Sequence, residues 1–366
     1  ISSVFELSGG MITHILDSFN QKTAINVVTM HHEQAAAFAA EGFARITGLP
    51  GVALATSGPG ATNLLTGIGS CYFDSTAALF ITGQVNRHEL KEDRDIRQLG
   101  FQETDIVSMA KPITKMAVQI KDPNDIPKIM EEAFQLALNG RPGPVLIDIP
   151  MDIQRAHIKP YQEVQASLKK VKIETSIIDE LIQDIKTAKK PLILAGRGIK
   201  AGKTQEDFNQ FVETTKIPVI TTLLGLDTIS YSHQQRVGFI GSYGNRWANI
   251  AFGECDLLIV LGARLDIRQT GADTTFIANR KIYHIDCEFA EINNRVKGCK
   301  AVVSELNQFF VQFNDAILGT IFNFPYDWIT YINELKEKWL DVNELNPVGI
   351  NPNIFMHKLS RKSNLA

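Results

Sequence analysis

The sequence predicts an α/β fold made of two parallel-sheet α/β domains. Three observations carry that expectation. Compact apolar runs alternate with longer stretches whose alanines and leucines recur at helical intervals. Glycine-rich turns follow several of the runs, and a polar connector divides the alternation into two blocks. Short runs that are apolar throughout fit strands covered on both faces, as crossover connections require of a parallel sheet.

The elements follow in order. Residues 1–7 (ISSVFEL) read as a strand already under way, an abrupt start that points to preceding residues. Val27-Val28 lies in a short extended segment, 33–47 is helical, and 51–55 (GVALA) and 77–82 (AALFIT) are strands. A second helix over 125–139 precedes the strand 145–149 (VLIDI), and Pro150 marks its exit. Residues 152–175 are mixed and polar, with Pro160 and the pair Lys169-Lys170. The second unit reads as a helix over 177–188, a strand over 191–195 (PLILA), a helix over 205–215, and strands over 217–221, 257–261 and 281–285. After Phe324 the character changes: 325–343 hold Trp328 and Trp339 among polar residues, and 351–361 is a short amphipathic helix. The expected division is a first domain over 1–155, a linker over 156–175, a central domain over 176–325 and a connector over 326–366.

With 366 residues, 44% of them apolar, the chain can build two cores. A net charge of -3 gives no electrostatic case for nucleic acid. The four cysteines, Cys71, Cys255, Cys287 and Cys299, lack Cys-x-x-Cys spacing and read as reduced thiols. No signal peptide opens the sequence, and no apolar run approaches the roughly 20 residues that span a bilayer. A soluble, cytoplasmic protein without a membrane segment is expected.

Candidate site residues cluster at strand ends. Glu33 opens a helix, where a carboxylate complements the N-terminal dipole or serves a ligand. His31 and His32 precede it, but HHE is not the His-Glu-x-x-His zinc pattern, so no metal ligand set is read here. Either histidine lines a pocket or caps the helix. Thr56-Ser57-Gly58-Pro59-Gly60 falls at a strand-to-helix turn, where glycine allows close backbone approach and Pro59 fixes the path. It is not a phosphate loop of the Gly-Lys-Ser/Thr type. Asn63 orients a ligand or caps a turn. Gly9-Gly10 is a flexible turn or a close approach to a ring. Phe101 alone reads as a packing anchor, beside Gln102 and after a charged, solvated stretch.

Seven ordered motifs give the first unit its resemblance: SGG (8–10), HHEQAAAFAAEGFAR (31–45), ATSGPGATNLLTGI (55–68), ITGQV (81–85), FQETDIV (101–107), PITK (112–115) and GRPGPVLIDIP (140–150). Together they resemble the pyrimidine-binding domain of the acetolactate synthase family of thiamine-diphosphate-dependent enzymes. The second unit resembles the central domain of that family. The resemblance implies that Glu33 is the activating glutamate, which bonds the cofactor's aminopyrimidine so that the ring can remove the thiazolium C2 proton. It implies attack on a 2-keto acid, decarboxylation, and carboligation to a second carbonyl compound. Gln102 and Phe101 would position substrate, Gly9, Gly10 and His32 would lie against the cofactor, and Ser57, Gly58, Pro59 and Asn63 would shape its pyrimidine side.

In the central unit, Arg197, Gly198, Thr222, Leu223, Gly262, Arg264, Asp266, Arg268 and Asp286 resemble the family's flavin-binding pattern. Strand-end turns there can offer backbone donors to a diphosphate. FAD binding and a packed central domain without flavin both fit these residues. Two segments depart from the family: Gly241-Ser242-Tyr243-Gly244 stands for a Gly-Met-His-Gly-like turn, and Leu265-Asp266-Ile267-Arg268 for Phe-Asp-Asp-Arg. The start departs too, with Glu6-Leu7-Ser8-Gly9-Gly10 for Gly-x-Pro-Gly-Gly.

The family's third domain carries Gly-Asp-Gly and a later Asn-Asn pair, which hold Mg2+ and the cofactor diphosphate. Gly271-Ala272-Asp273 and Asn293-Asn294 both fall in the central unit and do not match that arrangement. The expectation is therefore a chain supplying part of an active site, inactive alone, within a homodimer or dimer of dimers. The alternative is a noncatalytic binding or regulatory protein that retains the two domains. A nicotinamide enzyme is the third reading, without a Gly-x-Gly-x-x-Gly fingerprint to support it.

Overall fold

The computed structural model describes residues 1–21, 24–161, 173–272, 275–277, 280–322, 326–339 and 348–363. They form two compact units, over residues 1–168 and 169–366.

The first unit contains β1 (Ser3–Leu7), α1 (Thr13–Asn20), β2 (Asn26–Thr29), α2 (Glu33–Thr47), β3 (Gly51–Ala55), α3 (Pro59–Asn63), α4 (Leu65–Phe73), β4 (Ala78–Gln84), α5 (Ile106–Ala110), β5 (Met116–Gln119), α6 (Ile126–Leu138), β6 (Pro144–Pro150) and α7 (Met151–Gln154). Its strands form one six-stranded parallel sheet in the order β2-β1-β3-β4-β6-β5. β3, β4 and β6 are buried at every residue, which is why they read as compact, mainly apolar runs. α2 lies close on the sheet through Ala36, Ala37, Ala40 and Ala44, all buried. A Cβ on Gly51 would stand 1.9 Å from the Ala40 carbonyl oxygen. Gly48, at φ 66°, ends the helix in the left-handed conformation that suits glycine.

The second unit contains α8 (Thr175–Thr187), β7 (Pro191–Ala195), α9 (Gly198–Ala201), α10 (Gln205–Thr215), β8 (Val219–Thr221), β9 (Arg236–Phe239), α11 (Arg246–Glu254), β10 (Leu257–Leu261), α12 (Ile267–Thr270), β11 (Lys281–Asp286), β12 (Lys300–Val303), α13 (Leu306–Ala316), α14 (Tyr326–Lys338) and α15 (Pro352–Lys362). Its parallel sheet runs β12-β11-β10-β7-β8-β9. One face is filled by Phe208, Phe211, Phe309, Phe310 and Phe313, the other by Trp247, Phe252 and Trp328. Residues 326–338, expected to open a connector, are α14: Trp328 is buried and donates its indole N–H to the Pro191 carbonyl at 3.0 Å. The core of this unit thus extends past 325. The expected linker centres on 162–172 and includes Lys169-Lys170, which lie outside the described residues.

Both sheets have a topological switch point. In the first, the chain leaves β1 toward β2 on one side and returns to β3 on the other. In the second, β7 leads to β8 and β9, then the chain returns to β10. Crevices at the carboxyl ends of strands on either side of such a reversal are where open α/β sheets bind ligands.

Candidate active site

Four loops meet at the carboxyl ends of β2, β1, β3 and β4, which are neighbours in that order. Glu33 begins α2 immediately after β2 and is only 8% exposed. His32 is its N-cap, and its Nδ1 accepts the Gln34 amide at 3.1 Å. Of the two roles open to His32, the structure shows capping. His31 beside it is exposed.

The Glu33 carboxylate accepts one hydrogen bond among the described residues, from Asn63 Nδ2 to Oε2 at 2.9 Å. Asn63 is the last residue of α3, so the β3 turn and the head of α2 are tied through their side chains. The other oxygen faces glycine. An alanine Cβ at position 60 would lie 3.1 Å from Glu33 Oε1 and 2.7 Å from Thr56 Cγ2.

Thr56 was not singled out in the sequence, yet it holds the crevice together. Its hydroxyl accepts the Met11 amide at 3.2 Å, and a Cβ on Gly9 would stand 2.5 Å from its own Cβ. Gly9 is therefore glycine because the β1 turn packs directly on Thr56. Gly10 faces open space. Ser57 is 1% exposed, and its hydroxyl has no hydrogen-bond partner among the described residues. Gly58 adopts φ 64°, ψ -133°, a region reserved for glycine, and Pro59 opens α3.

Gln102 closes the fourth side. Its backbone is left-handed at φ 61°, and its Cβ would be 2.8 Å from a Cβ on Gly58. Phe101 is 74% exposed, which overturns its reading as a packing anchor within this chain. The turn that carries both is fastened by Glu103, whose carboxylate accepts the Lys91 and Leu99 amides at 2.7 Å each.

Beneath this turn lies a buried polar group that the sequence reading did not select. Asp148, in β6, has no exposed surface. It accepts from Thr82 Oγ1 at 2.7 Å, Gln119 Nε2 at 2.9 Å and Gln84 Nε2 at 3.2 Å. Burial pushes its carboxyl up to about 6, and the bonds from Gln119, Thr82 and Gln84 pull the other way. An acidic residue inside VLIDI was the available signal, because a carboxylate seldom enters a doubly covered strand without partners.

In the second unit the expected flavin residues all lie along one sheet edge, at the carboxyl ends of β7 (Arg197, Gly198), β8 (Thr222, Leu223), β10 (Gly262, Arg264, Asp266, Arg268) and β11 (Asp286). The glycines there pack on each other. A Cβ on Gly198 would be 2.6 Å from Gly262 Cα, and one on Gly196 would be 2.1 Å from the Gly262 oxygen. His284, buried and lowered in pKa chiefly by desolvation, donates Nε2–H to the Ala263 carbonyl at 2.8 Å and props this turn. Asp266 caps α12 by accepting the Arg268 amide at 2.8 Å, and its carboxylate lies 3.6 Å from Arg264 Nε. The two segments that depart from the family pattern touch: the Ser242 amide donates to the Arg268 carbonyl at 3.0 Å. Among the described residues, no group of three His, Cys, Asp or Glu side chains is placed to hold a metal, and no helix is long and apolar enough to cross a membrane.

Two parallel-sheet α/β units, the first with a buried carboxylate at its switch-point crevice, define a pair of α/β domains. Residues 1–109 match the N-terminal TPP binding domain of thiamine pyrophosphate enzymes, and 178–313 match the central domain. The acetolactate synthase large subunit of Lactococcus lactis is 37% identical over 345 residues, covering 92% of this chain and 58% of its own length. The probable acetolactate synthase large subunit of Methanocaldococcus jannaschii is 35% identical over 366 residues, covering 98% and 61%. Acetolactate synthase 1, chloroplastic, of Nicotiana tabacum is 36% identical over 345 residues, covering 92% and 50%. The chain belongs to the thiamine pyrophosphate enzyme family, of which it carries the N-terminal and central domains, and acetolactate synthase large subunits are its homologues. It spans between half and about three-fifths of the length of these relatives.

Proposed function

We propose that this chain supplies the pyrimidine side of an active site for thiamine-diphosphate-dependent decarboxylation and carboligation of a 2-keto acid. One observation carries the reading: Glu33 is a buried carboxylate with Oε2 taken by Asn63 and Oε1 turned toward the side chain that Gly60 lacks. That geometry suits the ring of thiamine diphosphate, which needs one acceptor oxygen at a flat, crowded face. When bound, this cofactor supplies an acidic carbon and an electron sink for decarboxylation. Glu33 would hold the pyrimidine ring by accepting a hydrogen bond from it, and its charge would favour the ring form that can act as base. Asn63 holds the carboxylate in that orientation, Thr56 and Gly9 fix the crevice wall, and Ser57, Gly58 and Pro59 shape it. Gln102 and Phe101 position substrate at the open rim. Mg2+ and the diphosphate are held by residues outside this set.

The names of the relatives support acetolactate formation as the activity, and the words large subunit in two of them support an oligomeric assembly, which we take as a homodimer or dimer of dimers. Exposed Phe38, Ile46 and Phe73 on α2 and α4 offer apolar surface for a second copy. FAD is proposed for the second unit on its edge arginines and switch-point turn, with the flavin's visible absorbance in purified protein as its check.

The direct test is Glu33→Gln in the enzyme loaded with thiamine diphosphate and Mg2+, followed by deuterium exchange at the thiazolium C2. Loss of a charge-assisted bond in a dry crevice slows that exchange by at least about tenfold. Exchange at the unaltered rate overturns the assignment.

A further inference from the structure

We infer that Asp148 is a positioning residue for this site: acting through Gln84, it holds from beneath the turn that sets Gln102 against Gly58. The inference rests on the thiamine-dependent reading, since the placement of Gln102 matters to catalysis only if that rim faces the reacting groups.

The connection can be followed bond by bond. Asp148 accepts from Gln84 Nε2 at 3.2 Å. The same nitrogen gives its other proton to the Thr104 carbonyl at 2.8 Å, while Gln84 Oε1 accepts the Val85 amide at 3.0 Å. These three contacts fix which way the Gln84 amide points, because a carboxylate and a carbonyl only accept and a backbone N–H only donates. Thr104 in turn donates its hydroxyl to the Gln102 carbonyl at 3.2 Å. Gln102 packs on Gly58, and Gly60 two residues later faces Glu33. The ends of β4 and β6 thus reach the candidate rim through side chains rather than through a packed apolar layer.

The choice of residue is informative. All three described donors to Asp148 are neutral, two amides and a hydroxyl. A carboxylate buried without a cation is a poor device for stability alone. An obligate acceptor at that place does something an apolar residue cannot: it stops the Gln84 amide from turning over.

The test is hydrogen exchange of residues 97–105 read by mass spectrometry in the full 366-residue chain. Gln84→Met removes the bridge at constant length, and Asp148→Leu removes the acceptor. Each is expected to speed exchange of the turn by about tenfold, the worth of roughly one hydrogen bond. Exchange in α2 and β3 should stay unchanged. Asp148→Asn is the rescue: its oxygen can accept from both glutamines while its amide donates to the Thr82 hydroxyl, so the turn stays protected. The double variant Gln84→Met/Asp148→Leu should match the single variants rather than sum them. In the enzyme turning over a 2-keto acid, Gln84→Met should lower kcat by about tenfold and leave thiamine diphosphate affinity within about twofold.

An unmoved turn in both disrupting variants overturns the inference, as does exchange that rises throughout β4 and β6. Failure of Asp148→Asn to protect the turn also overturns it. Absence of 2-keto acid turnover in the unaltered enzyme overturns the thiamine-dependent reading instead, and the exchange comparison still decides whether Asp148 holds the turn.

Discussion

Glu33 and Asp148 are two buried carboxylates of one unit, the first opening α2 and the second inside β6, set in opposite ways. Glu33 has one donor and one oxygen left for a partner, whereas Asp148 is surrounded by donors and faces no gap. Burial raises the Asp148 carboxyl from 3.8 to about 6. A raised carboxylate weakens the fold where it is charged. The penalty is absent below about pH 4, grows as pH rises through about 4 to 6, and is complete above that, at about 3 kcal/mol. Asp148→Asn keeps the acceptor and removes the charge. Its stability relative to the unaltered chain should therefore improve by about 3 kcal/mol between pH 4 and pH 7, read from urea melts at several pH values. Parallel stability curves over that interval would show that Asp148 is not charged at a cost. At this scale the sequence was informative unevenly. All four residues stood in motifs, but Thr56 and Gln84 drew no role there, because their importance comes from residues 45 positions upstream and 64 positions downstream.

At the scale of elements, legibility followed burial. The strands over 51–55, 145–149, 191–195 and 257–261 were readable because both faces are covered and every residue is apolar or forced to be paired. β5, β9 and β12 were not read. Each is a four-residue strand at a sheet edge, and β9 and β12 carry Arg236 and Lys300. Charged residues on short edges protect against unwanted pairing and dilute the apolar pattern at once. Glycines at 198 and 262, which the sequence places among candidate ligand approaches, also meet a structural requirement, contact between two backbones. Gly51 is the clearest case of that kind, since α2 sits where its side chain would be. Gly51→Ala should cost about 1–3 kcal/mol in a denaturant melt, because Ala40 can only yield by moving the helix that carries Glu33. The same variant should weaken thiamine binding, and a neutral outcome in both measurements would show that α2 is not fixed by this contact.

For the molecule as a whole, one topological rule acts twice. Each sheet reverses its winding after its opening strands, at β1/β3 in the first and at β7/β10 in the second, and each set of candidate residues lies at the carboxyl ends around that reversal. The residues come from separated segments, such as 9, 33, 58 and 102, so the motifs alone could place them at strand ends but not beside one another. Strand order supplies the missing step, since β2, β1, β3 and β4 are consecutive neighbours. The crevice so formed carries the Glu33 carboxylate, the Asn63 and Gln102 amides, the Thr56 and Ser57 hydroxyls and glycine backbone, without a lysine or arginine among these residues. Such a surface suits a neutral ring better than a diphosphate, whose recognition calls for a metal or basic side chains. The 366-residue chain should therefore bind thiamine and thiamine diphosphate with affinities within about tenfold of each other, and Mg2+ should change neither by more than that, in calorimetric titrations. Glu33→Gln should weaken both ligands alike. A preference for the diphosphate well beyond about a hundredfold would mean that this chain holds the phosphates as well as the ring, and that the division of the site proposed here is drawn in the wrong place.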